Sequence, residues 1–220
     1  MDAKKFNAVV FDMDGVIFDS EKIVIDCWKI VADKHNIPNI EYACMQCLGI
    51  NKKATRAKML EIYGQDFPYD EYAAESSVIY HGIYDNRPLP MKPGVIELLS
   101  YLKMNGYKIA LASSTRKGVV EKELDDAGII CFFDKIICGD MVQRSKPAPD
   151  IFLKACEEIG EKPEDCYAIE DSFNGIRSAN AGGLRPIMVP DLAEPNEEIS
   201  ALCETVLPNL LKVCDYLKRQ

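Results

Sequence analysis

Histidine and tryptophan are almost missing from this chain: 220 residues carry two histidines and one tryptophan. The histidines, His35 and His81, sit away from every expected strand end, so histidine-based phosphoryl transfer has no candidate. Positive charge is also short, with 26 Lys and Arg against 35 Asp and Glu and a net charge of -9. That balance disfavours nucleic acid or an anionic membrane as a partner. No apolar run approaches the length of a transmembrane helix. Repeats and low-complexity tracts are absent. The N-terminal Met1-Asp2-Ala3-Lys4-Lys5 is too short, and too soon followed by a strand, to act as a targeting peptide. The nine cysteines are odd in number, scattered and mostly inside apolar segments. They argue for reduced thiols and a cytoplasmic location instead of a disulfide framework. Cys44-Met45-Gln46-Cys47 is a lone C-x-x-C with no second pair and no nearby histidine, a poor zinc or redox motif.

What the chain does have is concentrated near its start. Ala8 to Phe11 is a short apolar run that reads as a buried parallel strand. It ends on Asp12-Met13-Asp14-Gly15. Residues i and i+2 of an extended chain point the same way, so Asp12 and Asp14 can share one site. Two carboxylates that close repel unless a cation joins them, and hard oxygen ligands suit Mg²⁺. A calcium loop fails on spacing, because Ile17 and Ile23 stand where its glycine and glutamate belong.

Beyond Ser20 the hydrophobic period becomes helical. Val24, Trp28 and Val31 share a face, and residues 51–64 and 68–84 read as helices anchored by Met59, Leu60, Tyr72, Val78 and Ile79. A return linker rich in breakers follows, Arg87-Pro88-Leu89-Pro90-Met91-Lys92-Pro93-Gly94. From there helices and strands alternate, with strands expected over 107–112, 133–138, 166–169 and 186–189. The pattern is α/β: a doubly wound parallel-sheet, Rossmann-like core over residues 1–18 and 90–220. An all-helical domain at 19–89 is inserted after its first strand.

Ligands of such sheets bind beyond the carboxyl ends of the strands. Those positions hold Asp12 and Asp14, Ser113-Ser114-Thr115, Ser145-Lys146-Pro147-Ala148-Pro149, and Glu170-Asp171-Ser172. Each has a plain alternative, since hydroxyls cap helices, a strand-end lysine is usually solvated, and acids complement helix N-termini. Together they fit phosphoryl transfer: a carboxylate nucleophile, a second carboxylate as acid and base, a hydroxyl donor, a fixed cation and a Mg²⁺ shell.

D-M-D-G-V-I-F-D-S, S-S-T, S-K-P-A-P-D and E-D-S-x-x-G also resemble, in order and spacing, the four motifs of the haloacid dehalogenase superfamily. The helical insertion resembles the C1-type cap of the subgroup that contains β-phosphoglucomutase and small sugar-phosphate phosphatases. The resemblance implies Asp12 as nucleophile, Asp14 as acid/base, and Ser113 and Lys146 holding the phosphoryl group. It implies Mg²⁺ held by Asp12, Asp14, Glu170 and Asp171. Substrate contacts are expected from Gly49, Ile50, Asn51 and Lys52 on the cap, and from Ser114, Thr115 and Arg116 on the core. The expected activity is hydrolysis of a small phosphorylated metabolite, a sugar phosphate, through an aspartyl-phosphate in a monomer.

Mutase chemistry is the alternative. The mutases carry a cap arginine where Lys52 stands and a histidine where Val24 stands, and both departures count against it. A non-catalytic ligand-binding protein is a second alternative, opposed by the completeness of the expected catalytic set. Cys138 to Ser145 also matches the C-x5-R-S loop of cysteine phosphatases. Asp140 inside that loop would repel phosphate, so the match reads as chance.

Overall fold

A computed structural model describes residues 6–84 and 87–220. The N-terminal Met1-Asp2-Ala3-Lys4-Lys5 segment and residues 85–86 of the expected helical insertion lie outside the described residues. The frame is one six-stranded sheet in the order β3-β2-β1-β4-β5-β6, every pairing parallel. Its strands are β1 (Ala8–Phe11), β2 (Lys108–Ser113), β3 (Lys135–Cys138), β4 (Cys166–Glu170), β5 (Arg185–Met188) and β6 (Thr205–Val206). After β1 the chain builds outward through β2 and β3, then returns to lay β4 on the other side of β1. The strand order therefore reverses at β1, and the crevice opens at its carboxyl end.

Both faces of the sheet are covered, which is why β1 is apolar throughout. Val9 and Phe11 point into one core, with Leu98, Leu99 and Leu102 of α5 (Val95–Met104), Val120 and Leu124 of α6 (Lys117–Asp126), and α10 (Leu210–Leu217). Ala8 and Val10 point the other way, into a layer built from Ala110, Ala112 and Ala168. The small side chains there let α7 (Asp150–Ile159) lie close, inserting Ile151, Phe152, Ala155 and Ile159. The α8 helix (Phe173–Ala181) adds Ala179. The two-residue β6 and the short α9 (Glu197–Leu202) have too few residues to carry a readable period, and neither was expected.

Four helices lie between β1 and β2: α1 (Ser20–His35), α2 (Ile40–Met45), α3 (Lys52–Tyr63) and α4 (Tyr69–Tyr84). They pack around their own cluster of Ile25, Trp28, Ala43, Met59, Leu60 and Tyr69, forming a helical cap on the Rossmann-like core. The expected anchors on α4 need correction. Val78 is 71% exposed and Ile79 only half-buried; the helix packs through Tyr69, Tyr72, Ala73 and Ser76. Those positions recur at the helical spacing that faces α1, which Val78 does not share. Val24, read as a core position of α1, is 38% exposed and turns to the cleft.

The two crossings between cap and core run side by side. Asp19 donates its backbone N–H to Pro90 O at 2.9 Å and Lys92 donates to Ile17 O at 2.8 Å, flanking an antiparallel bridge between Phe18 and Met91. The Lys92 ammonium pairs with Asp19 on the outgoing crossing and Asp191 beyond β5. Joined like this, the crossings form one hinge instead of two loose tethers.

Equilibrium urea unfolding tests these assignments. Leu99→Ala, at a fully buried position, is expected to cost about 2–5 kcal/mol. Val78→Ser is expected to stay within about 0.5 kcal/mol of the parent. A large loss at Val78 would contradict the packing of α4 described above.

Candidate active site

At the carboxyl end of β1 the backbone ladder runs one residue further, with Asp12 donating its N–H to Ile169 O at 2.9 Å. Strand pairing therefore fixes Asp12 between the ends of β2 and β4. Its carboxylate oxygen Oδ1 accepts from Lys146 Nζ at 2.6 Å. The same ammonium donates to Glu170 Oε1 at 2.7 Å, and the lysine side chain is completely buried. The solvated-lysine alternative fails here. Burial opposes the lysine's charge, yet the two carboxylates hold its pKa above the usual value. An ammonium has three protons, and two are used.

Glu170 is saturated. Its Oε2 accepts from the N–H of Asp171, the N–H of Ser172 and the Ser172 hydroxyl, each at 3.0 Å. Ser172 in turn accepts from Gly175 N at 3.0 Å and caps α8. Gly175 explains the last letter of that motif: a Cβ there would lie 1.7 Å from Glu170 Oε1.

Asp12, Glu170 and Asp171 present oxygens that all lie within 4.8 Å of one another, and all three residues are buried. Burial first, then the neighbouring carboxylates, push Asp171 well above the usual range. Burial likewise pushes Asp12 up to about 8, against the opposing pull of Lys146. Such a group of hard oxygens, destabilised by its own charge, fits Mg²⁺. Both Glu170 oxygens already accept hydrogen bonds, and the three residues together could hold a cation.

Asp14 faces the other way. Its carboxylate accepts from the Ser20 hydroxyl at 2.6 Å and the Thr115 hydroxyl at 2.9 Å. It lines a chamber between core and cap and stands outside the acidic cluster. Ser113 is fully buried and accepts from Thr115 N at 3.0 Å, keeping its own proton. The S-S-T run therefore does not cap α6, whose first residue, Lys117, donates its N–H to Asp140 at 3.2 Å. That contact gives Asp140 a role in the C-x5-R-S stretch. Cys138 is buried with its thiol pushed up to about 12, and Arg144 pairs with Asp150 instead of closing over an anion.

The cap is closed onto this centre by its 48–51 loop. Leu48 O accepts from Asn174 at 3.0 Å, Gly49 O from the Ser114 hydroxyl at 2.9 Å, and Asn51 donates its N–H to Ser145 Oγ at 2.9 Å. Gly49 lies so close to the core that a Cβ would meet Ser172 Oγ at 2.2 Å. Of the expected substrate contacts, Gly49, Ile50, Ser114 and Thr115 line the chamber. Asn51, Lys52 and Arg116 lie instead on an adjoining open groove of about 640 Å³.

Cys44 and Cys47 also line the chamber, with thiols pushed by burial up to about 12 and about 11. They are poor redox or metal groups in that state. The sequence reading named Ser20 and Ser145 without giving either a role, and passed over Glu21 and Asn174. For Glu21 a signal existed, a single acid at the head of the α1 face that carries Val24, Ile25 and Trp28.

The four strand-end motifs thus meet at one closed centre, and the comparisons can be set beside it. A model of the haloacid dehalogenase-like hydrolases matches residues 6–183. This chain belongs to the haloacid dehalogenase-like hydrolases. The probable pseudouridine-5'-phosphatase of Drosophila melanogaster is 31% identical over 203 residues, covering 90% of this chain and 87% of that protein. β-Phosphoglucomutase from Clostridium difficile matches with a TM-score of 0.82 at 25% identity, over 97% of this chain and 96% of that one. CbbY from Rhodobacter sphaeroides in complex with phosphate matches at 0.78 and 25%, over 94% and 96%. The protein is a hydrolase of the phosphatase type, in the C1-capped subgroup. Among the described residues no helix is long and apolar enough to cross a membrane.

The raised carboxyls set a pH dependence. Folded, metal-free protein holds protons on Asp12 and Asp171 that the unfolded chain releases. Stability is then greatest below about pH 4 for these groups and is lost as pH rises through about 8, the Asp12 value. Thermal melts in chelator are expected to fall from pH 5 to pH 8, and Mg²⁺ is expected to restore most of the loss at pH 8. A melt insensitive to both would contradict a carboxylate cluster built for a cation.

Proposed function

We propose that this protein is a Mg²⁺-dependent phosphoric-monoester hydrolase for a small phosphorylated metabolite, a sugar phosphate, acting through an aspartyl-phosphate at Asp12. The observation that carries the reading is the buried Lys146 joining Asp12 to Glu170, with Asp14 held apart from them on the chamber side. The phosphatase name of the Drosophila relative and the phosphate bound by CbbY support it. In this reading residues 19–89 are the cap, moving against a core of 1–18 and 90–220.

The free oxygen of Asp12 attacks phosphorus as the bond to the leaving oxygen breaks. Lys146 uses its third proton, and Ser113 its hydroxyl, to hold the phosphoryl oxygens. Asp12 and Asp171 would hold Mg²⁺, which when bound would supply screening of the phosphoryl charge against the attacking carboxylate. Asp14, steadied by Ser20 and Thr115, protonates the leaving oxygen. It then takes a proton from the water that attacks phosphorus, freeing Asp12 and releasing phosphate. The closed cap keeps water out during the first step.

A mutase must also grip its intermediate by a second phosphate inside the closed space. Among the described residues the chamber is lined by no lysine, arginine or histidine, with Val24 on its wall and Lys52 outside it. That composition favours hydrolysis.

The test is a panel of sugar and nucleotide monophosphates with Mg²⁺, following both free phosphate and isomerised product. Free phosphate is expected, and Asp12→Asn should lower its release by more than about a thousandfold. Isomerisation without phosphate loss would establish the mutase, and an active Asp12→Asn would remove the mechanism. Gly49→Ala is expected to fold normally while turnover falls at least about tenfold, because its Cβ blocks closure. Full activity in that variant would contradict the closed state as the reactive one.

A further inference from the structure

The chamber has two unlike ends. Asp12 and Asp14 form the reacting end; the far wall belongs to the cap and is apolar, with Val24, Ile25, Trp28 and Met59. The first turn of α1 adds the one ionisable oxygen acid of that wall, Glu21. The Gly49 backbone lies beside its carboxyl, and both residues line the enclosed space. The volume is about 180 Å³.

Away from the reacting centre, where Lys146 donates to Asp12, charge in this space has a single sign. Asp12, Asp14 and Glu21 are the ionisable carboxyls on the lining, and among the described residues it carries no lysine, arginine or histidine. Lys52, Lys53 and Arg116 lie on the open groove outside. A leaving group with a carboxylate or a second phosphate would lose its water against apolar walls, facing acids and no cation. An alcohol hydroxyl both donates and accepts, so it matches Glu21 whether that carboxyl is ionised or protonated.

We propose that Glu21 is a specificity-determining residue: it binds the hydroxyls of a neutral, pentose- to hexose-sized polyol leaving group, and the chamber it closes rejects anionic leaving groups. The basic groove outside serves arrival, drawing phosphate esters towards an otherwise acidic protein. This assignment rests on the phosphatase reading and narrows its substrate class.

The experiment compares kcat/KM for ribose 5-phosphate and glucitol 6-phosphate with that for phosphoglycolate and fructose 1,6-bisphosphate, all with Mg²⁺. Phenyl phosphate serves as a plain ester. The parent enzyme should favour the neutral leaving groups by about tenfold or more. Glu21→Ala should collapse that ratio, mostly through KM for the polyol esters. Glu21→Lys should invert it. Where a variant turns over too slowly, the same ratio is read as Kd in the Asp12→Asn background. A parent that prefers the anionic esters, or a ratio that Glu21→Ala leaves in place, overturns the proposal. Equal losses on both substrate groups leave the ratio in place and mark Glu21 as a structural tie to Gly49. Failure to hydrolyse any ester, phenyl phosphate included, counts against the phosphatase reading itself.

Discussion

Everything in this molecule that bears on chemistry depends on one buried cation. Lys146 lies at the centre of the sheet's carboxyl edge with no exposed side-chain surface, bonded to Asp12 and Glu170. Removing it would leave two carboxylates in a site with little water, the situation in which a broken buried pair is most costly. Its presence aligns Asp12 without neutralising the whole cluster. Asp171 stays uncompensated, and the remaining negative charge is what a divalent cation would satisfy. Lys146 thus has a structural and a chemical part, and the geometry does not separate them.

The second constraint is the division of the site by side. The acidic cluster and Lys146 belong to the core and are held by strand pairing and by the N-terminus of α8. Asp14 faces the cap, which supplies Glu21 and the apolar wall. Closure brings the halves together through hydrogen bonds to residues within three of the core motifs: Ser114, Ser145 and Asn174. The loops that hold the reacting centre also hold the lid. Cap position and the environment of Asp12 are therefore linked in the structure, and the bridge between Phe18 and Met91 ties the two crossings together.

Much of this was legible in the chain because sheet chemistry is local. Asp12 and Asp14, the hydroxyl run at 113–115, Lys146 and Glu170-Asp171 each follow directly on an apolar run, and strand ends are easy to read. The partners each would choose were less visible. Glu170 stands in the acidic cluster as expected, and it is also engaged by Lys146 and three N–H or O–H donors. Asp14 was placed with the metal, while its carboxylate is held by Ser20 and Thr115. In the cap the period was right for the helices and for Trp28, Val31, Met59, Leu60 and Tyr72, and wrong in direction at Val24 and Val78. Val78 and Val24 are apolar but exposed, since the facing surface of a helix is decided by its neighbours and not by hydrophobicity alone. Glu21 was missed because its importance comes from what surrounds it, three helices and a loop distant in sequence.

The measurement that tests the central claim most directly is the fate of the phosphoryl group during turnover. Enzyme mixed with Mg²⁺ and a substrate from the polyol esters, then quenched in acid within one turnover, should carry the phosphoryl mass on the peptide containing Asp12. The label should vanish when substrate is exhausted. A phosphoryl group on any other residue, or none on the enzyme while phosphate is released in the same interval, would contradict Asp12 as the nucleophile that Lys146 holds in place.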